Sequence, residues 1–248
     1  MKLLVISDVH SNIKALQAIE QQEKQWDAVL FAGDMLDYGL YPHEVIEWMQ
    51  KNYVIAVAGN HDVAMVEKIS QGACFLKNPL EAESFCEHNI SSLTKEDKEY
   101  LSNLPLEQTF VADGVTYFMT HIYKEADEYA LLHQLENHHI ASAFDSYWQQ
   151  KAGDFMGVRC LIVGHTHHCM MVQVKKDAWI INPGACGYRL GADVAVKGAQ
   201  YVVIENGVPT FKWADYSTEQ EYEIVKNKMP NLEQWQRDTG LLICNLKE

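Results

Sequence analysis

Five short segments of the sequence carry residue types that bind transition metals. They are Asp8-Val9-His10, Gly33-Asp34, Gly59-Asn60-His61-Asp62, Thr120-His121 and Gly164-His165-Thr166-His167. Manganese, iron and zinc accept such mixtures of carboxylate, imidazole and carbonyl ligands, whereas a structural zinc site would use cysteine. The combination of the five segments therefore predicts a metal centre that performs chemistry.

The spacing within two of these segments predicts how their side chains are directed. Asp8 and His10 lie two residues apart, and so do His165 and His167. In an extended segment, residues two apart point to the same side of the chain. Each pair is therefore expected to act as a pincer on an ion.

The first segments follow apolar runs that predict strands of a parallel sheet. These runs cover residues 3–6, 28–31 and 54–57, and they alternate with amphipathic stretches of helical period. Asn12 or Ser11 can cap the first helix, and Pro42 suits the first turn of the second. This β-α-β-α-β order implies right-handed crossovers and a ligand site beyond the carboxyl ends of the strands.

The remainder of the chain is predicted to add helices over the site and a second group of strands. Residues 63–104 form a helical insertion in this interpretation, with a capping box from Thr94 to Asp97. Further helices are expected at about 125–151, and a helical tail at about 218–238. Later strands are expected at 115–119, 160–163, 169–174, 179–181, 201–204 and 209–213. The sequence thus predicts an α/β chain with two facing sheets, in one domain over residues 1–248.

Composition excludes several classes of function. The net charge is −14 and the basic residues are scattered, which argues against a broad nucleic-acid surface. No run approaches the ~20 apolar residues of a membrane span, and the first residues lack the pattern of a signal peptide. Six cysteines without a C-x-x-C pair indicate reduced thiols. A soluble cytoplasmic protein is expected.

The five segments together resemble the calcineurin-like metallophosphoesterases. That family's pattern D-x-H, G-D, G-N-H-[DE], H and G-H-x-H is matched in order over about residues 1–189. The similarity is nearest to a branch of small bacterial and archaeal phosphodiesterases, through SDVHSN, GDMLDYGLYPHEV, GNHD, LTKEDKEYLSNLP and NPGACGYR. The resemblance implies a four-layer αββα sandwich. Two departures are Ile122 after His121, where glycine is usual, and Ala185 in place of a serine.

The resemblance also implies a set of ligands for two divalent ions, with manganese favoured and iron, zinc and nickel as alternatives. The first ion would be held by Asp8, His10, Asp34 and His167, and the second by Asp34, Asn60, His121 and His165. Asp34 would bridge the ions, and a hydroxide shared between them would attack phosphorus.

The resemblance also implies that three residues serve the substrate, namely Asn60, His61 and Arg189. Asn60 and His61 would contact it, and His61, which touches neither metal, would stabilise charge or protonate the leaving oxygen. Arg189 lies where similar sequences carry an arginine that contacts phosphate, although a solvated surface role explains it almost as well.

Three functions remain open from the sequence. The chain could be an enzyme acting on a small phosphodiester or phosphomonoester, a phosphoprotein phosphatase, or a non-catalytic metal-binding or protein-interaction module on the same fold. The complete ligand set and the presence of His61 favour the enzyme. The choice of substrate would depend on the insertion at 63–104 and the helices at 125–151, because the metals contact only the phosphate.

Overall fold

The structure is a computed structural model that describes residues 1–71, 79–123, 138–153, 157–187 and 198–217. Several predictions fall outside these ranges. They concern the first half of the helical region at 125–151, the tail at 218–238, and the residues Cys74, Arg189 and Cys244.

The described chain forms two mixed sheets of five strands each. The strands, in chain order, are β1 (Lys2–Ile6), β2 (Ala28–Phe31), β3 (Val54–Ala56), β4 (Glu107–Ala112), β5 (Val115–Thr120), β6 (Val158–Ile162), β7 (Cys169–Lys175), β8 (Ala178–Pro183), β9 (Ala199–Glu205) and β10 (Val208–Ala214). The described helices are α1 (Ile13–Gln22), α2 (Pro42–Lys51), α3 (Asn60–Gln71), α4 (Pro79–Ser92), α5 (Lys95–Ser102) and α6 (His138–Ala152).

Each sheet has a parallel centre. The first sheet has the order β10-β9-β1-β2-β3, in which β1, β2 and β3 run parallel. The second has the order β4-β5-β6-β8-β7, in which β5, β6 and β8 run parallel. Parallel strands bring their carboxyl ends to the same edge of a sheet, so the loops that follow them are gathered there.

Helices cover the outer face of each sheet, and this confirms the predicted αββα sandwich. In β1, Leu3 and Val5 lie in the core between the sheets, while Leu4 and Ile6 pack with the residues of α1 and α2. The outer face of the second sheet packs against α6 through Trp148 and its neighbours. Because β1 is covered on both faces, its sequence is a continuous apolar run instead of an alternating one.

Local signals in the sequence set several boundaries correctly. Asn12 caps α1 by accepting a hydrogen bond from the backbone N–H of Ala15 at 3.3 Å. Pro42 is the first residue of α2, and Thr94 and Asp97 form a full capping box at the start of α5. One strand escaped prediction. β4 is an edge strand whose residues are mostly solvent-accessible, so it lacks the apolar run that marked the others.

The described residues can be compared with the predictions of reduced cysteines and of a chain without a membrane span. Cys86, Cys160, Cys169 and Cys186 are not joined in disulfides, and three of them are buried. Among the described residues, every helix is too short or too polar to cross a bilayer.

A histidine links α2 to the capping box of α5. His43 Nδ1 lies 2.8 Å from Oδ2 of Asp97, which also accepts a hydrogen bond from the backbone N–H of Thr94. The hydrogen bond to Asp97 raises the pKa of His43 above its usual value, against a smaller lowering by burial, and Glu47 adds to the rise. The pair therefore ties α5 to α2 in a pH-dependent way.

We expect this contribution to stability to disappear at high pH. A raised folded-state pKa means that the stabilisation is fully present below about pH 6.5 and is lost as the pH rises through the folded pKa. The His43 side chain is 37% exposed, so screening keeps the effect below about 1 kcal/mol. Denaturant unfolding of the wild type and His43→Gln should show a larger difference near pH ~6 than near pH ~9. An identical difference at both pH values would contradict the assignment.

Candidate metal centre

Loops that follow strands of both sheets meet at one edge of the sandwich. The side chains at these positions are Asp8, Asp34, Asn60, His121, His165 and His167. Backbone hydrogen bonds join the loops directly. The N–H of Asp8 donates to the carbonyl of Gly33 at 2.9 Å, and the N–H of Gly164 donates to the carbonyl of His121 at 3.1 Å. The first sheet therefore supplies one half of the cluster and the second sheet the other.

Two groups of these side chains could each hold a metal ion. The first consists of Asp8, His10 and His167, and the second of Asp34, His121 and His165, with the potential ligand atoms of each group within 4.8 Å of one another. All six are buried except His165, which is half-buried. This partition matches the one that the family resemblance implied.

Asp34 lies between the two groups, and Asn60 lies beside the second. Oδ2 of Asp34 is 3.1 Å from Nε2 of His121 and 3.9 Å from Nε2 of His10. Oδ1 of Asn60 is 3.1 Å from Nε2 of His121 and 2.9 Å from Nδ1 of His165. A single carboxylate is thus within reach of both groups, which is the geometry that a bridging ligand needs.

Hydrogen bonds on the far side of two imidazole rings fix their orientation. Nδ1 of His10 lies 3.0 Å from the carbonyl oxygen of Leu36, and Nδ1 of His121 lies 2.7 Å from that of Ala32. A carbonyl only accepts, so each ring must donate from Nδ1, which makes Nε2 the nitrogen that faces the site and can ligate a cation. Nε2 of His10 and Nε2 of His167 then face each other at 3.3 Å. Nitrogens held in this way fit a cation between them, because a carbonyl behind the ring is the usual support of a ligating histidine.

The site is built on left-handed turns, and this corrects the expectation of extended segments. Asp8, His10, Asp34, His165 and His167 all have φ between 47° and 68°. Residues with a Cβ rarely adopt this conformation, which costs roughly 1 kcal/mol or more for each residue. The turns direct each side chain into the site, so that Asp8 and His10 meet in one group as expected, but through turns and not through the alternation of a strand.

The pincer predicted for His165 and His167 is wrong. His167 joins Asp8 in the first group, with Nε2 at 3.0 Å from Oδ1, whereas His165 joins the second group. The left-handed conformation of both residues turns their side chains away from the common direction that an extended segment would give.

His61 lies beside the cluster but in neither group, and it has a partner that the sequence did not reveal. Its Nδ1 is 2.8 Å from Oδ2 of Asp37, which is 1% exposed, and its Nε2 is 4.0 Å from Oδ2 of Asp34. Burial lowers the pKa of His61, but the charge of Asp34 and the hydrogen bond to Asp37 outweigh it and raise that pKa to about 9. The only sequence signal for Asp37 was its position in the GDMLD turn.

The histidines of the cluster experience burial and the carboxylate charges to different extents. Burial lowers the pKa of His10 to about 4, whereas His121, equally buried, has its pKa raised to about 10 because the charge of Asp34 overcomes the effect of burial. Protons and cations compete for such imidazoles, so metal binding would displace the proton of His121.

Buried polar side chains beside the cluster hold its loops in place. Asp62 accepts backbone hydrogen bonds from Met35, Leu36 and Gly59 at 2.9–3.2 Å. Gly59 must remain without a side chain, because a Cβ there would overlap the carboxylate of Asp34.

Asn89 of α4 performs a similar task, and no sequence pattern pointed to it. Its amide donates to the carbonyl of Gly39 at 3.0 Å, and its oxygen accepts from the N–H of Asp37 at 3.2 Å and from the hydroxyl of Ser11. The insertion is therefore joined to the turn that carries Asp37, the partner of His61.

Comparison with known proteins identifies the family. The profile described as the calcineurin-like phosphoesterase superfamily domain matches residues 1–205. The chain belongs to this superfamily. An uncharacterised protein of Methanocaldococcus jannaschii is 25% identical over 249 residues, which cover 92% of this chain and 93% of that protein.

Solved structures agree with the fold. A metallophosphoesterase from Sphaerobacter thermophilus superposes with a TM-score of 0.64 at 24% identity, over 93% of this chain and 96% of that one. A hypothetical protein from Pyrococcus horikoshii superposes with a TM-score of 0.70 at 14% identity, over 100% and 99% of the two chains. At these identities the structures support the shared sandwich, and the chemistry must be argued from the site itself.

Proposed function

We propose that this protein is a phosphoesterase that uses two divalent metal ions, held at the edge where the two sheets meet. The observation that carries the proposal is the pair of adjacent ligand groups with the Asp34 carboxylate between them. Asp8, His10, Asp34 and His167 would hold one ion, and Asp34, Asn60, His121 and His165 the other. When bound, two such ions lower the pKa of a water molecule and neutralise the non-bridging oxygens of a phosphate.

Residues around the ions would orient the ligating histidines and contact the phosphate. The carbonyls behind His10 and His121 keep those rings in the tautomer that a ligand requires. Asn60 is exposed at the surface of the cluster and can meet the phosphate. The acidic protein needs this local arrangement, because its net charge of −14 would otherwise repel an anion.

His61 would face the oxygen that leaves. Its Nδ1 donates to Asp37, so its Nε2 is free of that bond and lies 4.0 Å from the carboxylate of Asp34. This position next to both ligand groups suits a donor to the reacting phosphate. A module that only bound metal would have no need of an imidazole held in this way by a buried aspartate, so the pair favours the enzyme over the non-catalytic alternative.

Activity should require a divalent metal. We expect the protein, after chelation to metal-free composition, to hydrolyse neither mono- nor bis-(p-nitrophenyl) phosphate, because Asp and His side chains alone do not activate water at neutral pH. Adding manganese should restore turnover of at least one of the two. Full activity of a preparation shown to be metal-free by elemental analysis would refute the proposal, and so would inactivity with every divalent metal tested.

Asp34→Asn should disturb both metals, whereas Asp8→Asn should mainly weaken one. Asp34 lies within reach of both ligand groups, whereas Asp8 is a member of the first group. Asparagine tolerates the left-handed backbone at both positions, so the comparison isolates the loss of charge. The measurement is the number of metal ions retained per chain after gel filtration. Equal loss of one ion in both variants would argue against a bridging Asp34.

His61→Gln should retain metal and lose rate. If His61 protonates the leaving oxygen, its removal should cost on the order of 10²–10⁴ in rate for an alkyl ester, which leaves poorly. A p-nitrophenyl ester should suffer less, because nitrophenolate needs little protonation. Turnover of both esters and metal content would be measured on the same preparation. Equal penalties for the two esters would exclude the acid role and leave His61 as a donor to a non-bridging oxygen.

A further inference from the structure

A cleft adjoins the second ligand group. Asn60 and His121 are among its lining residues, and its volume is about 890 Å³. The other walls come from the loop before α3, α3 itself, α6, the segment that enters β4 and the end of β5 with the residues that follow it. Cavities of this size hold an organic molecule, whereas a phosphate group alone would occupy only the part beside Asn60 and His121.

His61 and the cleft adjoin the cluster at different residues. The ring of His61 is packed near His10 and Tyr38, with ring centroids 5.1 Å and 4.9 Å away. None of these three residues lines the cleft, which approaches the cluster through Asn60 and His121 instead. A group in the cleft would therefore be attached to phosphorus away from the oxygen that faces His61.

The walls of the cleft suit an uncharged group. Part of the lining is apolar, with Val63 and Ala64 of α3 and, from elsewhere in the fold, Leu106 and Ile122. Glu67, Glu107 and Gln150 are polar, and among the described residues that line the cleft the one lysine or arginine is Lys151.

Lys151 is already neutralised. Its Nζ lies 2.8 Å from a carboxylate oxygen of Glu107. Two glutamates and one lysine line the cleft, and this composition disfavours a polyphosphate or a nucleic-acid strand, since each would bring further negative charge into the cleft.

We infer that this cleft holds the retained organic group of a phosphodiester, an uncharged group of roughly nucleoside size, while the leaving group is on the side of His61. The inference rests on the proposed function and makes it more specific. A phosphomonoester carries a single organic group, which departs, and such a substrate would leave the cleft without an occupant. A diester carries two groups, and the two sides of the cluster provide a place for each.

The test compares substrates that share one leaving group and differ only in the retained one. Manganese-loaded protein would be assayed with p-nitrophenyl phosphate, p-nitrophenyl methyl phosphate and the p-nitrophenyl ester of thymidine 5′-phosphate. A fourth substrate would be the same thymidine ester with a second phosphate on its sugar. We expect kcat/KM to be highest for the thymidine ester, about tenfold or more above the methyl ester, and to fall when the second phosphate is added.

Two variants change the cleft, one by filling its volume and one by removing part of its apolar lining. Ala64→Trp fills it and should lower kcat/KM for the thymidine ester about tenfold or more, with less than about threefold change for the methyl ester and the monoester. Leu106→Ala removes part of the apolar wall and should have the same selectivity with a smaller effect. Val111→Ala is the matched control, because Val111 is 59% exposed against 61% for Leu106 and lies outside the cleft.

Each result decides a different point. Activity on the methyl ester together with equal effects of Ala64→Trp and Leu106→Ala on all substrates would overturn the role of the cleft and leave the phosphoesterase intact. Equal or faster turnover of the substrate with the second phosphate would overturn the claim of an uncharged group. Absence of turnover with every substrate would refute the proposed function, and the inference would fall with it.

Discussion

The structure depends on burying the carboxylate of Asp34 at the point where the two sheets meet. This side chain is 1% exposed, and Asp8 beside it is fully buried. Removing an ionised carboxylate from water is expensive unless positive charge or hydrogen-bond donors replace the lost solvation. Here the replacement comes from His121 of the second sheet and from the backbone N–H of His61 at 2.9 Å. Fold and site are therefore coupled, because the charges of one sheet are compensated by groups from the other.

The sequence was sufficient for the parts of the structure that depend on local pattern. The apolar runs of β1 and β2, the Asn12 cap and the capping box at Thr94 each depend on residues a few positions apart, and each was predicted correctly. The gathering of the metal-ligand residues at one edge was also predictable, because each of the five segments follows a predicted strand. β4 was missed because the strands were predicted from apolar runs, and an exposed edge strand does not need an apolar sequence.

Long-range and conformational features were beyond the reach of the sequence. Asn89 reaches Ser11 across 78 positions of the chain, and no periodicity links the two. The separation of His165 from His167 depends on two left-handed backbone angles, which sequence patterns suggest only at glycine and asparagine. The resemblance to the family supplied this partition, whereas alternation along a strand did not.

The left-handed turns also bear on how such a chain would drift in evolution. Glycine adopts these angles without the steric penalty that aspartate and histidine incur. A lineage that stopped using the side chains would gain stability by exchanging them for glycine, one position at a time. The cluster here has Asp or His at five such positions. That is the composition expected where natural selection has acted on the chemistry of the side chains against the preference of the backbone.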